Sequence, residues 1–112
     1  MPRYLSLLSF FSFAFLQIDK NLDVETGWYD NGQRMFIRTY KDEKADGKWI
    51  HWYSNGQLWT DGTYVNGELQ GEWITFYDNG QKMIEGSHKD GQRTGKWIFY
   101  KEDGKIYELK NY

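Results

Sequence analysis

The pattern of apolar and polar residues divides the chain near residue 27. Residues 5–16 form an apolar run that contains no charged side chain, and all 12 glycines lie from Gly27 onward. In that second part, short runs rich in aromatic and β-branched residues are separated by glycine-containing turns, and no sustained helical period is present. We therefore expect an almost entirely β fold after residue 27.

The same part of the chain repeats itself every 24 residues. One set of glycines marks the period, at Gly32, Gly56, Gly80 and Gly104, and it is preceded by Asn31, Asn55, Asn79 and, in the last unit, Asp103. A second set begins the string Gly-x-Trp-Ile, at Gly47, Gly71 and Gly95, with its tryptophans at Trp49, Trp73 and Trp97. The pattern predicts about three and a half units, and their atypical ends are typical of the caps of a repeat array.

Each unit reads as a β hairpin, because Asn-Gly or Asp-Gly between two such runs is a strong hairpin signal. We expect a two-residue turn at Asn55-Gly56, with positive φ at both residues. The second connection of each unit, for example residues 65–71, is polar, contains two glycines and is expected to be longer. Consecutive hairpins joined in this way form an antiparallel meander.

A two-residue turn at Asn55-Gly56 sets Trp52 opposite Trp59 and Trp49 opposite Gly62. The first pairing predicts one continuous apolar ladder on one side of the sheet, a candidate binding face made of Trp28, Met35, Trp52, Trp59, Phe76, Met83, Tyr100 and Tyr107. The second pairing predicts, on the other side, that the ring of Trp49 covers Gly62 and that Trp73 covers Gly86.

The strings from Gly47 to Gly56 (GKWIHWYSNG) and from Gly71 to Gly80 (GEWITFYDNG) resemble variant MORN repeats. The resemblance extends from Gly27 to about Leu109 and identifies residues 27–112 as a repeat domain. It implies an elongated single-layer antiparallel sheet with one hairpin per repeat and no catalytic activity. The bacterial variant is often labelled as the antitoxin of a toxin–antitoxin pair. This chain departs from the pattern at Glu43 and Lys101, both in terminal units.

Residues 1–17 resemble a secretory signal peptide, with Arg3 followed by the apolar run. The run is shorter than the ~20 residues that a bilayer-spanning helix needs. We expect cleavage after Ala14 or nearer Gln17, with residues 18–26 as a linker or an N-terminal cap. The protein would then be periplasmic, surface-bound or secreted. The alternative is that the apolar run packs on the domain as a strand or helix, in which case the protein would be cytoplasmic.

Composition excludes several kinds of chemistry. The 112 residues fit a single domain, and 14 basic against 16 acidic side chains give a net charge of −2, which disfavours nucleic-acid binding. The chain has no cysteine, so thiol catalysis and thiolate metal sites are excluded. His51 and His88 occupy different columns of the repeat, with His88 expected as an aromatic substitute in a stack and His51 at a strand surface. We expect no catalytic residue, no metal and no cofactor.

These observations predict a non-catalytic module that binds a protein partner through the apolar ladder. A surface glycan is the alternative ligand, and a cytoplasmic antitoxin-like role is the second alternative. Membrane binding is not expected beyond the N-terminal segment, because the basic residues are interleaved with acidic ones.

Overall fold

The computed structural model of the protein describes residues 3–6 and 21–112, and the strands found there form one antiparallel sheet. The strands are β1 (Arg3–Ser6), β2 (Leu22–Trp28), β3 (Arg34–Lys41), β4 (Lys44–Trp52), β5 (Leu58–Val65), β6 (Glu68–Leu69), β7 (Gly71–Phe76), β8 (Lys82–Lys89), β9 (Gln92–Tyr100) and β10 (Ile106–Asn111). Their order is β1-β2-β3-β4-β5-β7-β8-β9-β10, and the short β6 pairs with β5. The predicted all-β, single-layer meander of hairpins is confirmed.

The N-terminal segment enters the sheet at its first described residues. Strand β1 pairs with β2, with Arg3 opposite Thr26 and Ser6 opposite Asp23. Residues 22–26, expected to be part of a linker or a cap, belong to β2. The rest of the apolar run and both expected cleavage positions lie outside the described residues, so export stays a prediction.

The Asn-Gly turns are three-residue loops, which corrects the expected two-residue turn. The backbone NH of Tyr53 donates to the carbonyl of Gln57 at 2.9 Å, and the NH of Gly56 donates to the carbonyl of Tyr53 at 3.0 Å. Gly56 has a φ of +88°, whereas Asn55 is not in the left-handed region. This is a type I turn followed by a left-handed glycine, the usual three-residue hairpin loop. Asn55 is therefore favoured by its side chain, whose Oδ1 accepts from the NH of Gln57 at 2.9 Å.

The other connections are the tight two-residue turns. Asn66 and Gly67 have φ angles of 51° and 86°, and Val65 pairs directly with Glu68. Positive φ at both central residues defines a type I′ turn. The expectation of a longer return loop is wrong, because Glu68 and Leu69 pair with β5 directly after the turn. Gly71, with a φ of +77°, lies beyond the turn, where the register between β5 and β7 shifts.

The extra loop residue changes the register of each hairpin between its Asn-Gly turn and the nearby bulge. Trp52 pairs with Leu58 and His51 with Thr60, so that Trp59 is the additional residue of a β bulge. Ring contacts place Trp59 beside His51, on the side of the sheet opposite to Trp52. The predicted single ladder is therefore wrong. Its residues divide between two faces, with Trp28, Trp52, Phe76 and Tyr100 on one and Met35, Trp59, Met83 and Tyr107 on the other.

Close packing of rings on glycine joins consecutive units. The predicted pairs Trp49–Gly62 and Trp73–Gly86 are confirmed in the register. However, a Cβ atom added to Gly62 would lie 2.1 Å from Cε3 of Trp73, and one added to Gly86 would lie 2.1 Å from Cδ2 of Trp97. The ring over each glycine thus comes from the following unit, so the packing couples neighbours rather than closing one hairpin.

Two side chains at each of the first three Asn-Gly turns donate hydrogen bonds to the next unit. The hydroxyl of Tyr53 donates to the carbonyl of Phe76 at 2.8 Å, and Nδ2 of Asn55 donates to the carbonyl of Asp78 at 2.9 Å. The same two bonds recur 24 residues earlier and later, from Tyr29, Asn31, Tyr77 and Asn79. The period therefore reflects contacts between units as well as the geometry of each turn.

Candidate interaction surface

The sheet has two chemically different faces. We call the side that bears Trp49, Trp73 and Trp97 the front face, and the side that bears Ile50, Ile74 and Ile98 the back face. Successive side chains of a strand point to opposite sides, so each tryptophan and the isoleucine after it are separated in this way. The front face carries rings packed around His51 and His88, whereas the back face carries isoleucine and charged residues beside the row Trp28, Trp52, Phe76 and Tyr100.

The larger ring cluster of the front face is centred on His51. Its imidazole lies 5.7 Å from the ring of Phe36, 6.5 Å from Trp49 and 5.8 Å from Trp59. Further rings extend the cluster through Trp49 and Trp59, at Tyr40, Tyr53 and Tyr64. We call this group the His51 cluster. His51 was expected at a strand surface, but the structure places it, half-buried, at the centre of this packing.

A second cluster on the same face is centred on His88. This imidazole lies 6.0 Å from Trp73 and 5.0 Å from Trp97, both edge to face, and Trp97 contacts Tyr112 at 6.1 Å. Trp97 is almost completely buried, with 1% of its surface exposed. The prediction that His88 substitutes for an aromatic residue in a stack is confirmed. We call this group the His88 cluster.

An arginine lies over the rings of each cluster. The guanidinium of Arg38 is 3.9 Å from the ring centre of Phe36, and its Nε donates to Nε2 of His51 over 3.5 Å. Glu25, which is buried, accepts from Arg38 at 3.3 Å. In the His88 cluster, Arg93 lies 4.4 Å from the ring centre of Trp97. These cation–π contacts place positive charge on a face that otherwise carries mainly rings.

Burial and positive charge act together on both histidines. Burial lowers the pKa of His51 and, to a smaller extent, the charge of Arg38 lowers it further. Burial also lowers the pKa of His88, and Arg93 adds to that effect. Nδ1 of His88 is buried with no hydrogen-bond partner among the described residues. Both imidazoles are therefore held in the neutral form at pH 7, as parts of the ring packing.

Part of the His51 cluster is open to solvent. Trp59 is 41% exposed, although its ring stacks on Tyr53 at 5.4 Å with an interplanar angle of 27°. No second layer of the described residues covers it, since all the strands belong to one sheet. An exposed tryptophan ring that its neighbours hold flat is a typical anchor for a ligand or partner.

The back face carries paired charges. Asp61 lies opposite Ile50 and Glu85 opposite Ile74. Both acids are half-buried and ion-paired, since Lys48 lies 3.1 Å from Asp61 and Lys82 lies 3.0 Å from Glu85. They line a groove of about 400 Å³. The charges of this face are therefore largely neutralised within the protein.

Tyr100 completes the back-face network at Glu85. Its hydroxyl donates to Oε2 of Glu85 at 2.6 Å. This bond lowers the pKa of the Glu85 carboxyl and raises the pKa of Tyr100 to about 12. The carboxylate is held ionised by its donors, which is the opposite of what a general acid requires. Among the described residues, no group of three or more histidine or acidic side chains is arranged to hold a metal ion.

The sequence therefore identified some of the exposed rings but missed the groups that organise them. Trp59 and Tyr107 were predicted, and both lie on the front face. Arg38, His51 and Arg93 were not in the candidate face. Arg38 and Arg93 do not share a repeat column, so no periodic signal marks them. His51 was recognisable, because it is two residues from Trp49 on the same strand and so must share its face.

Comparison with known proteins agrees with this architecture. The family model described as MORN repeat variant matches four tandem segments, at residues 24–42, 45–66, 69–90 and 93–112. Neither a curated protein nor a solved structure matches the chain significantly.

Proposed function

The chain belongs to the MORN repeat variant family, whose repeats generally serve as protein- or membrane-interaction modules, and on that premise we propose that it is a non-catalytic module that binds a protein partner through its front face. The observation that carries this proposal is Trp59, a 41% exposed ring at the margin of the His51 cluster. Tryptophan and arginine dominate the binding energy of protein interfaces. The front face provides both, with Arg38 next to the same cluster.

The cost of desolvation favours the front face over the back face. A partner on the back face would bury the pairs Lys48–Asp61 and Lys82–Glu85, which are partly exposed now. Removing such charges from water costs free energy that their mutual attraction often does not recover. A partner on the front face covers mainly rings, whose burial contributes about 25 cal/mol per Å².

Substitution of two tryptophans on opposite faces tests the proposal. The front-face variant is Trp59→Ala, and the matched control is Trp52→Ala on the back face. Partners are identified by crosslinking in cells and mass spectrometry with the wild-type chain, and binding is then measured with the purified partner. We expect Trp59→Ala to weaken binding by ~2 kcal/mol or more and Trp52→Ala to keep it.

Both variants are checked by circular dichroism, so that loss of fold is not read as loss of binding. Equal binding by wild type and a folded Trp59→Ala variant would exclude the front face. Loss of binding in a folded Trp52→Ala variant would transfer the site to the back face.

A glycan is the second candidate ligand, and one observation favours it. Trp59 stacked on Tyr53 presents a flat, half-exposed aromatic surface, the kind of platform on which a sugar ring stacks. Titration with soluble cell-wall glycans, followed by tryptophan fluorescence, tests this candidate. A saturable change that Trp59→Ala abolishes would support it, and no change at millimolar glycan would exclude it.

The compartment decides which partners are available. The N-terminal segment supports export, and sequencing the N-terminus of the protein recovered from cell fractions tests it. A start at Phe15 or near Gln17 outside the cytoplasm would direct the search to envelope or surface partners. A start at Met1 or Pro2 in the cytosol would favour the antitoxin-like alternative. Within residues 3–6 and 21–112, no helix has the length and apolarity needed to cross a bilayer.

A further inference from the structure

The last repeat unit lacks the side chains that bond each unit to the next. In the first three units, the hydroxyl of a tyrosine donates to the following unit, from Tyr29, Tyr53 and Tyr77. The equivalent position of the fourth unit is Lys101. The asparagine that donates the second bond, at Asn31, Asn55 and Asn79, is replaced in the fourth unit by Asp103. Its Oδ1 still accepts from the NH of Lys105 at 2.9 Å, so the turn is kept. A carboxylate has no N–H to donate, and the bond to a further unit is lost.

A third column changes at the same place. The side chains of Gln33, Gln57 and Gln81 lie over the turn glycine of the following unit, within 3.4 Å of where a Cβ would stand. The corresponding residue of the last unit is Lys105. The edge formed by β10 is therefore not prepared to accept another unit of the same pattern.

That edge is nevertheless apolar. Among the described residues, six large hydrophobic side chains are exposed, and four of them lie on or next to β10, namely Ile106, Tyr107, Leu109 and Tyr112. Each of the four has at least half of its surface exposed. An edge strand of this kind readily pairs with another strand.

The backbone of β10 has a defined set of groups that point away from the sheet. Tyr112 and Gly95 exchange two backbone hydrogen bonds, of 2.9 and 3.1 Å. Residues that bond to one neighbour alternate along an antiparallel strand, so Glu108 and Lys110 also face β9. The NH and carbonyl groups of Leu109 point outward, where a second strand can bond to them.

We propose that β10 pairs antiparallel with β10 of a second copy of this chain, with Leu109 at the twofold axis. This register joins the outward groups of Leu109 from both copies. It also sets Glu108 opposite Lys110 of the second copy, and Lys110 opposite its Glu108. Within one chain these two side chains are 3.9 Å apart, so the dimer brings together four charges of alternating sign.

Neighbouring registers are excluded by charge and by the backbone. An axis at Glu108 places two carboxylates opposite each other, and an axis at Lys110 places two ammonium groups opposite each other. Hydrogen bonding excludes the registers whose axis lies between two residues, because these set Leu109 opposite a residue whose backbone groups already bond to β9. Hydrogen bonding and charge together therefore favour the axis at Leu109.

This surface is distinct from the front-face site around Trp59, so the proposal does not depend on the proposed function. It is tested by sedimentation equilibrium of the full chain and of the variants Glu108→Lys, Lys110→Glu and the double exchange. We expect a wild-type dimer whose dissociation constant rises about tenfold in each single variant, because each places like charges opposite each other twice. The double exchange should restore wild-type affinity, since the opposite pairs are re-formed.

A cysteine variant tests the register itself. The chain has no cysteine, so Leu109→Cys introduces a single thiol on each side of the axis. Hydrogen-bonded residues of an antiparallel pair have Cα atoms about 5.5 Å apart, within the range that a disulfide spans. Mild oxidation should give a covalent dimer, whereas the control Val65→Cys, exposed at the far end of β5, should not.

Three results would overturn the proposal. The first is a wild-type chain that stays monomeric at all accessible concentrations. The second is a dimer that neither single charge variant weakens. The third is a Leu109→Cys variant that crosslinks no faster than Val65→Cys. Circular dichroism of each variant confirms that the sheet is intact.

Discussion

A methyl group added at Gly62 tests how consecutive units are coupled. In Gly62→Ala, the new Cβ would lie 2.1 Å from Cε3 and 2.4 Å from Cζ3 of Trp73. Carbon atoms in favourable contact are about 3.5–4.0 Å apart. The φ of Gly62 is not in the left-handed region. The backbone therefore accepts alanine, and the whole effect arises from the collision with the ring.

The size of the effect follows from the movement that the ring must make. To reach an ordinary contact, Trp73 must move more than about 1 Å away from β5. Overpacking of this kind costs about 1–3 kcal/mol, and the displaced ring also loses part of its contact with His88, a pair that contributes about 0.5–1.5 kcal/mol. We expect Gly62→Ala to lower the free energy of unfolding by about 3 kcal/mol.

Urea unfolding followed by circular dichroism measures this loss in a double-mutant cycle. Gly62→Ala is combined with Trp73→Val and, separately, with Trp49→Val. The cost of Gly62→Ala should fall by at least ~1 kcal/mol when Trp73 is already truncated. It should be unchanged when Trp49 is truncated, although Trp49 is the residue directly opposite Gly62 in the hairpin.

Gly32→Ala is the matched control for backbone strain. Gly32 has a φ of +85°, and no atom lies within 4 Å of the place where its Cβ would stand, so alanine there costs about 1–2 kcal/mol from conformation alone. Neither tryptophan substitution should reduce that cost. A Gly62→Ala loss below ~0.5 kcal/mol, or coupling to Trp49 in place of Trp73, would refute the assignment of the ring to the following unit.

Three further predictions concern a turn, the bonds between units and pH. Glu43 has a φ of +66°, so Glu43→Gly should raise the free energy of unfolding by about 1 kcal/mol in urea titration, and an unchanged or lower value would contradict the strain argument. Tyr53→Phe removes the 2.8 Å hydrogen bond to the next unit and should lower the free energy of unfolding by about 1 kcal/mol. The control Tyr107→Phe should leave it almost unchanged, and equal losses in the two variants would show that the bond is not the cause. Burial and the neighbouring arginines lower the folded-state pKa of His51 and His88 below 6.5, so protonation favours the unfolded chain. The free energy of unfolding should therefore be constant above about pH 7 and should fall as the pH drops through about 6.5. The urea midpoint at pH 7.5, 6.5 and 5.5 measures this fall, and replacing both histidines by phenylalanine should remove it; a slope that persists would assign it to other groups.

Part of the fold followed directly from the sequence. The 24-residue spacing predicted the hairpins, and the pairing of Trp49 with Gly62 was correct. The pairing of Trp52 with Trp59 was wrong, although both were inferred from the same turn. The difference arises because the three-residue loop adds one residue and the bulge at Trp59 compensates for it. On the far side of the bulge, which includes Trp49 and Gly62, the strands pair as a two-residue turn would pair them. Between the bulge and the turn, which includes Trp52, the pairing is shifted by one residue.

The candidate surface was less predictable than the fold. Trp59 was recognised as a candidate, but it was assigned to the face of Trp52. An Asn-Gly pair is compatible with a type I′ turn and with a type I turn followed by a left-handed glycine. The side chain before the glycine favours the second turn, because Oδ1 of Asn55 accepts from the NH of Gln57, and Asp103, which makes no bond to a further unit, forms the same turn. The face of Trp59 then follows from the place of the bulge between the two strands.

The sequence by itself determined the repeat, the strands and the positions of the turns, because these depend on residues close together in the chain: positive φ at glycine, side-chain preference for a pleated surface and the 24-residue recurrence of both. Only the tertiary structure decided which ring lies over which glycine, which side chains share a face and which groups remain outward on β10. Those depend on the neighbouring strand, where a shift of one residue moves a side chain to the other side of the sheet. A local pattern cannot distinguish a two-residue turn from a three-residue turn with a bulge, whereas the folded sheet can, because only the bulged register places Trp59 beside His51.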